Sequence, residues 1–91
     1  MAKREIRIDA SRIVSRKLMA AYMKEVFAFD ETFGGNLDAL HDSLSEVSED
    51  TVLLFDVEAM KTICTEKYAW KVMRVLLDET EDNPHIRVKL L

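Results

Sequence analysis

The feature that most constrains the fold is an uninterrupted run of four apolar residues, Val-Leu-Leu-Phe, at positions 52–55. A strand with one face in solvent alternates apolar and polar residues, whereas an unbroken apolar run is typical of a central strand covered on both faces. Two other short segments do alternate, residues 6–8 and residues 86–90. The sequence therefore predicts a central strand at 52–55 with an edge strand on each side.

Four helices are predicted between the strands, each preceded by a residue type that accepts hydrogen bonds from free helical amides. The order strand, helices, strand, helices, strand requires parallel pairing with right-handed crossovers. With both crossovers moving the same way, we predict a two-layer α/β domain with a three-stranded parallel sheet, order 1-2-3, and helices mainly on one side. The predicted caps and helices are Ser15 with 16–28, Asn36 with 37–47, Asp56 with 57–64 and Thr65 with 66–81, and Asn83-Pro84 ends the last helix.

The length of 91 residues and the hydrophobic content of 48% predict one domain over residues 1–91 with its own core. No apolar run approaches the roughly 20 residues that cross a bilayer, and residues 1–5 are not followed by a signal-type apolar segment. We therefore expect a cytoplasmic protein without a membrane partner. The single cysteine, Cys64, excludes an intramolecular disulfide, and its apolar neighbours favour a buried, unreactive thiol.

The charged residues are distributed unevenly along the chain, which has a formal net charge of −4. Residues 1–24 contain seven Lys or Arg and two acids, whereas residues 25–60 contain ten acids and no Lys or Arg. An acidic block of this kind repels nucleic acid phosphates and attracts a cationic partner, whose encounter rate it raises. A solvated acidic surface without a partner is the alternative interpretation.

The acidic block contains the stretch that most needs a functional explanation, residues 32–45. The glycines at 34–35 permit a tight turn before the second helix. Asp38, Asp42 and Ser45 fall together on one face of that helix, away from its apolar residues. The helix dipole favours an acid at Asp38, but Asp42 lies beyond its reach, and like charges four residues apart repel. A repelling pair on an exposed face indicates a cationic partner.

The sequence of residues 33–44, Phe-Gly-Gly-Asn-Leu-Asp-Ala-Leu-His-Asp-Ser-Leu, resembles the signature of the barstar family, small bacterial proteins that inhibit secreted ribonucleases by plugging their active sites. The resemblance implies a barstar-like fold, which agrees with the strand order predicted above. It also implies that the loop and helix enter the nuclease groove, with Asp42 in the phosphate pocket and Asp38 beside it. The other partner-binding residues that it implies are Thr32, Phe33, Gly34, Asn36, His41, Ser45 and, on the last helix, Asp78.

The chain departs from the family pattern at several positions. Thr32 and Val47 stand where aromatic residues are usual. Gly35 replaces an acid, and His41 stands at a tryptophan position. Because aromatic rings carry much of the energy of an interface, their loss indicates a cognate nuclease other than the family's best-known one. His41 either contacts the partner or is a surface histidine near Asp38.

Catalytic and metal sites are not predicted. Consecutive residues of a helix point about 100° apart, so His41, Asp42 and Ser43 do not converge as a triad, and no phosphate loop, dinucleotide fingerprint or nucleophile elbow is present. A metal clip from Asp38, His41 and Asp42 lacks a fourth ligand. We expect a non-enzymatic, cofactor-free inhibitor or immunity protein, monomeric when free, that binds a basic ribonuclease or related toxin one to one. An acidic module for a cationic regulator and a metal-dependent hydrolase are the alternatives.

Overall fold

The computed structural model describes residues 4–91, and residues 1–3, which belong to the amino-terminal segment considered for a signal peptide, lie outside the described residues. Strands and helices follow one another in the predicted order. The elements are β1 (Arg4–Arg7), α1 (Arg16–Phe27), α2 (Leu37–Ser45), β2 (Thr51–Phe55), α3 (Val57–Thr65), α4 (Lys67–Asp82) and β3 (Ile86–Leu90), with a 3₁₀ turn at Ala10–Arg12 after β1.

The three strands form one parallel sheet in the order β1-β2-β3, which confirms the predicted topology. In the centre of the sheet, Leu53 lies between Ile6 of β1 and Val88 of β3. The face of β2 that carries Leu53 and Phe55 is fully buried because the helices pack over it. The α/β class and the two-layer arrangement are therefore as predicted.

The opposite face of the sheet is lined at its edges by charged residues. The register places Glu5 and Arg87 on either side of Val52, and Arg7 and Lys89 on either side of Leu54. Val52 is only 8% exposed, in accord with the tendency of long charged side chains to cover apolar neighbours with their aliphatic stems. The central strand thus has both faces covered, one by helices and one largely by its flanking strands.

Three of the four predicted helix caps are confirmed. Each cap gives one of the free amides of a first helical turn a hydrogen-bond partner. The side-chain oxygens of Ser15, Asn36 and Asp56 accept the amides of Leu18, Ala39 and Ala59 at 3.2, 2.7 and 2.8 Å, respectively. Helix α3 is tied further to the sheet because Arg7 Nη2 donates to Asp56 Oδ2 at 2.9 Å.

Two predictions at the junction of α3 and α4 are wrong. Thr65 does not cap α4 but is the last residue of α3, where its hydroxyl donates to the carbonyl of Lys61 at 3.0 Å. Glu66 precedes α4 and makes no side-chain cap hydrogen bond. Cys64 is exposed rather than buried because the helix rotates it about 100° away from its fully buried neighbour Ile63.

Helices α2 and α4 pack side by side over the sheet and are joined at their ends by Asn83. Its Nδ2 donates to the carbonyls of Leu44 and Val47, both at 2.9 Å, although Asn83 is only 4% exposed. Those carbonyls lie at the end of α2, where the Leu44 carbonyl also accepts the amide of Val47 at 3.1 Å. No helix among residues 4–91 is long and apolar enough to cross a bilayer.

Candidate functional site

The loop between α1 and α2 begins with a turn built on Asp30. Its Oδ1 accepts hydrogen bonds from the amide of Thr32, at 2.9 Å, and from the hydroxyl of the same residue. Its carbonyl accepts the amide of Phe33 at 3.1 Å. The bonds from the Thr32 hydroxyl and then from the Thr32 amide hold the pKa of Asp30 below its usual value. The turn therefore fixes Thr32 and Phe33 ahead of the two glycines.

The glycine pair brings the loop close to both α1 and α2. Gly35 is buried and has a φ of +74°, and a Cβ there would lie 3.1 Å from the Cβ of Ala20 on α1. A Cβ at Gly34 would lie 3.2 Å from the Cβ of Ala39 on α2. Gly35 therefore meets both a backbone and a packing requirement for glycine, whereas Gly34 meets only the second.

Helix α2 presents its acids to solvent and buries its leucines. Asp38 occupies the second helical position, as predicted, and Asp38, Asp42 and Ser45 are all exposed. Leu40 and Leu44, on the other side, are fully buried. Within residues 4–91, neither Asp38 nor Asp42 forms an ion pair. Both carboxylates are therefore open to a cation from outside the chain.

A groove of about 570 Å³ lies between the loop and α2. Four of the predicted contact residues line it, namely Thr32, Phe33, Gly34 and Asp42. The other predicted contact residues do not line the groove. They are Asn36, which caps α2, Asp38, His41 and Ser45 on α2, and Asp78 on α4. The carboxylates of Asp30, Glu46 and Glu49 also line it, so the groove is acidic.

The apolar part of the groove is a row of three phenylalanines. The ring centroids of Phe27 and Phe29 are 5.4 Å apart, and those of Phe29 and Phe33 are 5.0 Å apart. Arg4 is the only Lys or Arg among the described residues that line the groove. Its guanidinium donates to the carbonyl of Val26 and lies 5.9 Å from the centroid of the Phe27 ring. The chain therefore holds its own cation at the edge of the groove.

His41 points from α2 toward α4 and not toward Asp38 or Asp42. Its Nε2 lies 3.0 Å from Oε1 of Glu79 and 3.5 Å from Oδ2 of Asp82. Asp78, the predicted contact on α4, precedes Glu79 and is exposed. The potential metal-ligand group among the described residues is thus His41, Glu79 and Asp82, and not the single-helix clip considered from the sequence.

Glu79 is fully buried, and neither of its carboxylate oxygens accepts a hydrogen bond from residues 4–91. The approach of His41 Nε2 to Oε1, at 3.0 Å, is therefore a close polar contact without hydrogen-bond geometry. Burial raises the pKa of Glu79 above its usual value, His41 opposes that shift, and the charges of Asp82, Asp42 and Asp78 add to it. Negative charge is concentrated around this carboxyl.

Sequence reasoning missed Asp30, Glu79 and Asn83. Asp30 and Thr32 have the spacing of a side-chain-to-backbone turn, which is a recognisable signal. Glu79 stands three residues after Leu76, in the apolar row of α4, and an acid in an apolar row is also recognisable. Asn83 was identified only as the end of α4, because nothing local shows that its amide reaches α2.

A comparison with protein-family models gives a match to the family described as Barstar (barnase inhibitor) over residues 3–90, which is nearly the whole chain. The comparison with curated proteins gives no match. The matched range includes the loop, all four helices and all three strands.

Proposed function

Because the chain belongs to the barstar family, whose description is that of barnase inhibitors, we propose that it inhibits a basic ribonuclease or a related toxin by filling its active site. The inhibitor acts in the cytoplasm of the cell that makes the toxin and forms a one-to-one complex. It carries out no catalysis of its own.

The observation that carries this proposal is the pair of exposed carboxylates on α2. Asp38 and Asp42 repel each other across one helical turn, and within residues 4–91 no Lys, Arg or His pairs with either. Arg or Lys side chains that bind substrate phosphate in a nuclease form charge-assisted hydrogen bonds equally well with carboxylates. The two acids therefore act as substitutes for phosphate.

The loop supplies the second part of the interface. Gly34 is exposed and permits close approach of a partner backbone. Phe33 is half-buried against Phe29, so its remaining surface packs on the partner without a large loss of side-chain freedom. The other exposed or partly exposed contacts surround this centre and complete the proposed interface, and they are Thr32, Asn36, His41, Ser45 and Asp78.

The test is an inhibition titration of purified basic ribonucleases with the full chain. We expect activity to fall linearly to an end point at one inhibitor per enzyme for the cognate nuclease. The double variant Asp38→Asn/Asp42→Asn should inhibit far less. Glu58→Gln is the control for the loss of an exposed acid outside the loop and α2, because Glu58 lies on α3, where its Oε1 is 3.7 Å from Lys61 Nζ.

Equal inhibition by the wild type and the double variant would remove the phosphate-mimicry mechanism. Tight binding of a basic protein whose RNA-cleaving activity is unaffected would instead favour the acidic regulatory module.

A further inference from the structure

The buried carboxylate of Glu79 has no role in the interface proposed above. It lies on the core-facing side of α4 with Val72 and Leu76, and its side chain is 0% exposed. Neither oxygen accepts a hydrogen bond from the described chain. A buried ionised group is unfavourable unless it is paired with a charge or coordinates a metal, so the surroundings of Glu79 indicate what compensates it.

Two further side chains with metal-ligand atoms converge on Glu79. Asp82 follows one turn later on α4, and His41 reaches across from α2. His41 Nε2 lies 3.0 Å from Glu79 Oε1 and 3.5 Å from Asp82 Oδ2, and one ligand atom of each of the three residues lies within 4.8 Å of the other two. The side chains of His41 and Asp82 are 42% and 61% exposed, so the cluster opens to solvent on one side.

The charges around this cluster are unbalanced. The negative charges of Asp82, Asp42 and Asp78 all act on Glu79, and His41 is the only basic side chain among the described residues that opposes them. No Lys or Arg among residues 4–91 forms an ion pair with any of these four acids. One imidazole supplies at most one positive charge. Even with Glu79 protonated, the three aspartates therefore carry more negative charge than the imidazole neutralises.

We propose that His41 Nε2, Glu79 Oε1 and Asp82 Oδ2 bind one divalent transition-metal ion, with zinc as the best match, and that water completes the coordination. Four ligands at roughly 2.0–2.2 Å in a tetrahedron are separated from one another by about 3.3–3.6 Å. The two histidine–carboxylate distances of 3.0 and 3.5 Å lie close to this range, and the two carboxylates have ligand atoms within 4.8 Å of each other.

The donor set decides between classes of metal. One imidazole with carboxylates suits zinc and its transition-metal neighbours, whereas magnesium and calcium take oxygen ligands almost exclusively. The site joins α2 to α4, and it is assigned to the free chain. It therefore does not rest on the inhibitory function.

The first measurement is calorimetric titration of zinc chloride into the chelator-treated full chain, together with thermal unfolding. We expect saturable one-to-one binding and a higher Tm, because a ligand that binds only the folded state stabilises it. Magnesium chloride should produce neither effect. The exposed thiol of Cys64 is a competing ligand, so the same titration is made with Cys64→Ser and should give the same result.

The variants assign the ligands. Glu79→Gln keeps the shape of the side chain but removes its charge, and His41→Ala removes the imidazole. Each should weaken zinc binding at least about tenfold, since even changes outside the ligand set of a metal site cost 10–100-fold. His85→Ala is the matched control. His85 is the other histidine of the chain, and it also contacts a carboxylate, because its Nδ1 lies 2.8 Å from Asp50 Oδ1. It should leave zinc binding unchanged.

Absence of saturable zinc binding to the wild-type chain overturns the proposal. Binding that persists in both His41→Ala and Glu79→Gln, or that is lost in His85→Ala, overturns it as well. Should Glu79→Gln fail to fold, Asp82→Asn takes its place, because the Asp82 side chain is 61% exposed and its loss does not disturb the core.

Discussion

At the scale of single residues, Asp38 and Asp42 differ in what they do for the free chain. Asp38 lies in the first turn of α2, where a negative charge stabilises a helix by about 0.3–1 kcal/mol. Asp42 lies one turn further on, without an ion pair to any residue in 4–91. A substitution of Asp42 therefore tests partner binding with less effect on stability than a substitution of Asp38.

Asp42→Ala is expected to weaken binding to the cognate nuclease by about 2–5 kcal/mol, the general range for truncating one partner of a buried charge pair, to which the barnase–barstar complex itself contributes. The Tm should change little, because Asp42 has no ion pair to lose in the free chain. Inhibition constants and thermal unfolding of the same preparations check both parts, with Glu58→Ala as the control. A large fall in Tm would show that Asp42 supports the fold.

Glu79 is the residue whose burial has the clearest consequence for stability, because its carboxyl group is 0% exposed and accepts no hydrogen bond from residues 4–91. Removing one partner of a buried ion pair is destabilising when the other charge stays buried, but the His41 side chain is 42% exposed and keeps its access to water. Glu79→Leu then replaces a buried carboxyl group that has no hydrogen bond with an apolar side chain. We therefore expect Glu79→Leu to raise the free energy of unfolding in chelator-containing buffer, as measured by urea denaturation. A loss of stability would mean that the contact with His41 outweighs the cost of burying the carboxylate.

At the scale of elements, α2 depends on contacts at both of its ends. It has nine residues, and isolated helices shorter than about 12–15 residues are marginal in water. Asn36 caps its beginning, and Asn83, which lies just beyond α4, donates two hydrogen bonds to carbonyls at its end. The helix that carries the two proposed phosphate mimics is thus held in place by α4.

Asn83→Ala should cost about 1–3 kcal/mol of stability, because it removes the two hydrogen bonds that a buried side chain donates to the end of α2. Ser15→Ala is the comparison, since the loss of a helix cap typically costs about 1 kcal/mol and α1 carries none of the proposed phosphate mimics. Urea unfolding measures both losses. Inhibition should also weaken in Asn83→Ala but not in Ser15→Ala, and equal inhibition by the two variants would contradict the proposed link between α4 and α2.

The loop before α2 allows a matched pair of glycine substitutions. Gly35→Ala places a side chain at a φ of +74° and 3.1 Å from Ala20 Cβ, and left-handed backbone costs other residues about 1–2 kcal/mol. Gly34→Ala meets only Ala39 Cβ, at 3.2 Å. We expect Gly35→Ala to lower the Tm more than Gly34→Ala does. Gly34→Ala should weaken binding to the partner with little change in Tm, because Gly34 is exposed. The reverse order would refute this assignment of the two glycines.

At the scale of the whole molecule, the acidic block extends beyond the two exposed carboxylates of α2. Its ten acids over residues 25–60 include Asp38, Asp42 and the groove carboxylates of Asp30, Glu46 and Glu49. The aspartates near the end of α4, Asp78 and Asp82, add further negative charge, which raises the pKa of Glu79. An acidic surface of this extent attracts a basic partner from a distance before any contact forms.

The association rate constant with the nuclease should therefore fall steeply as salt is raised, while the dissociation rate constant changes much less. The physical reason is that the Debye length shortens from about 30 Å at 0.01 M salt to about 10 Å at 0.1 M. Stopped-flow measurements over this range check the prediction. A rate constant that is independent of salt would show that the acidic block does not steer the encounter.

The sequence alone determined the parallel sheet and its order, the caps of α1, α2 and α3, and the exposed acids of α2. These features follow from the chemistry of residues a few positions apart, which fixes strand periodicity, helix starts and helix faces. The tertiary structure alone decided that His41 meets Glu79 across 38 positions and that Asn83 bonds to the end of α2. Which surfaces meet depends on how whole helices pack, and residues far apart in the chain leave no local pattern that records such a contact.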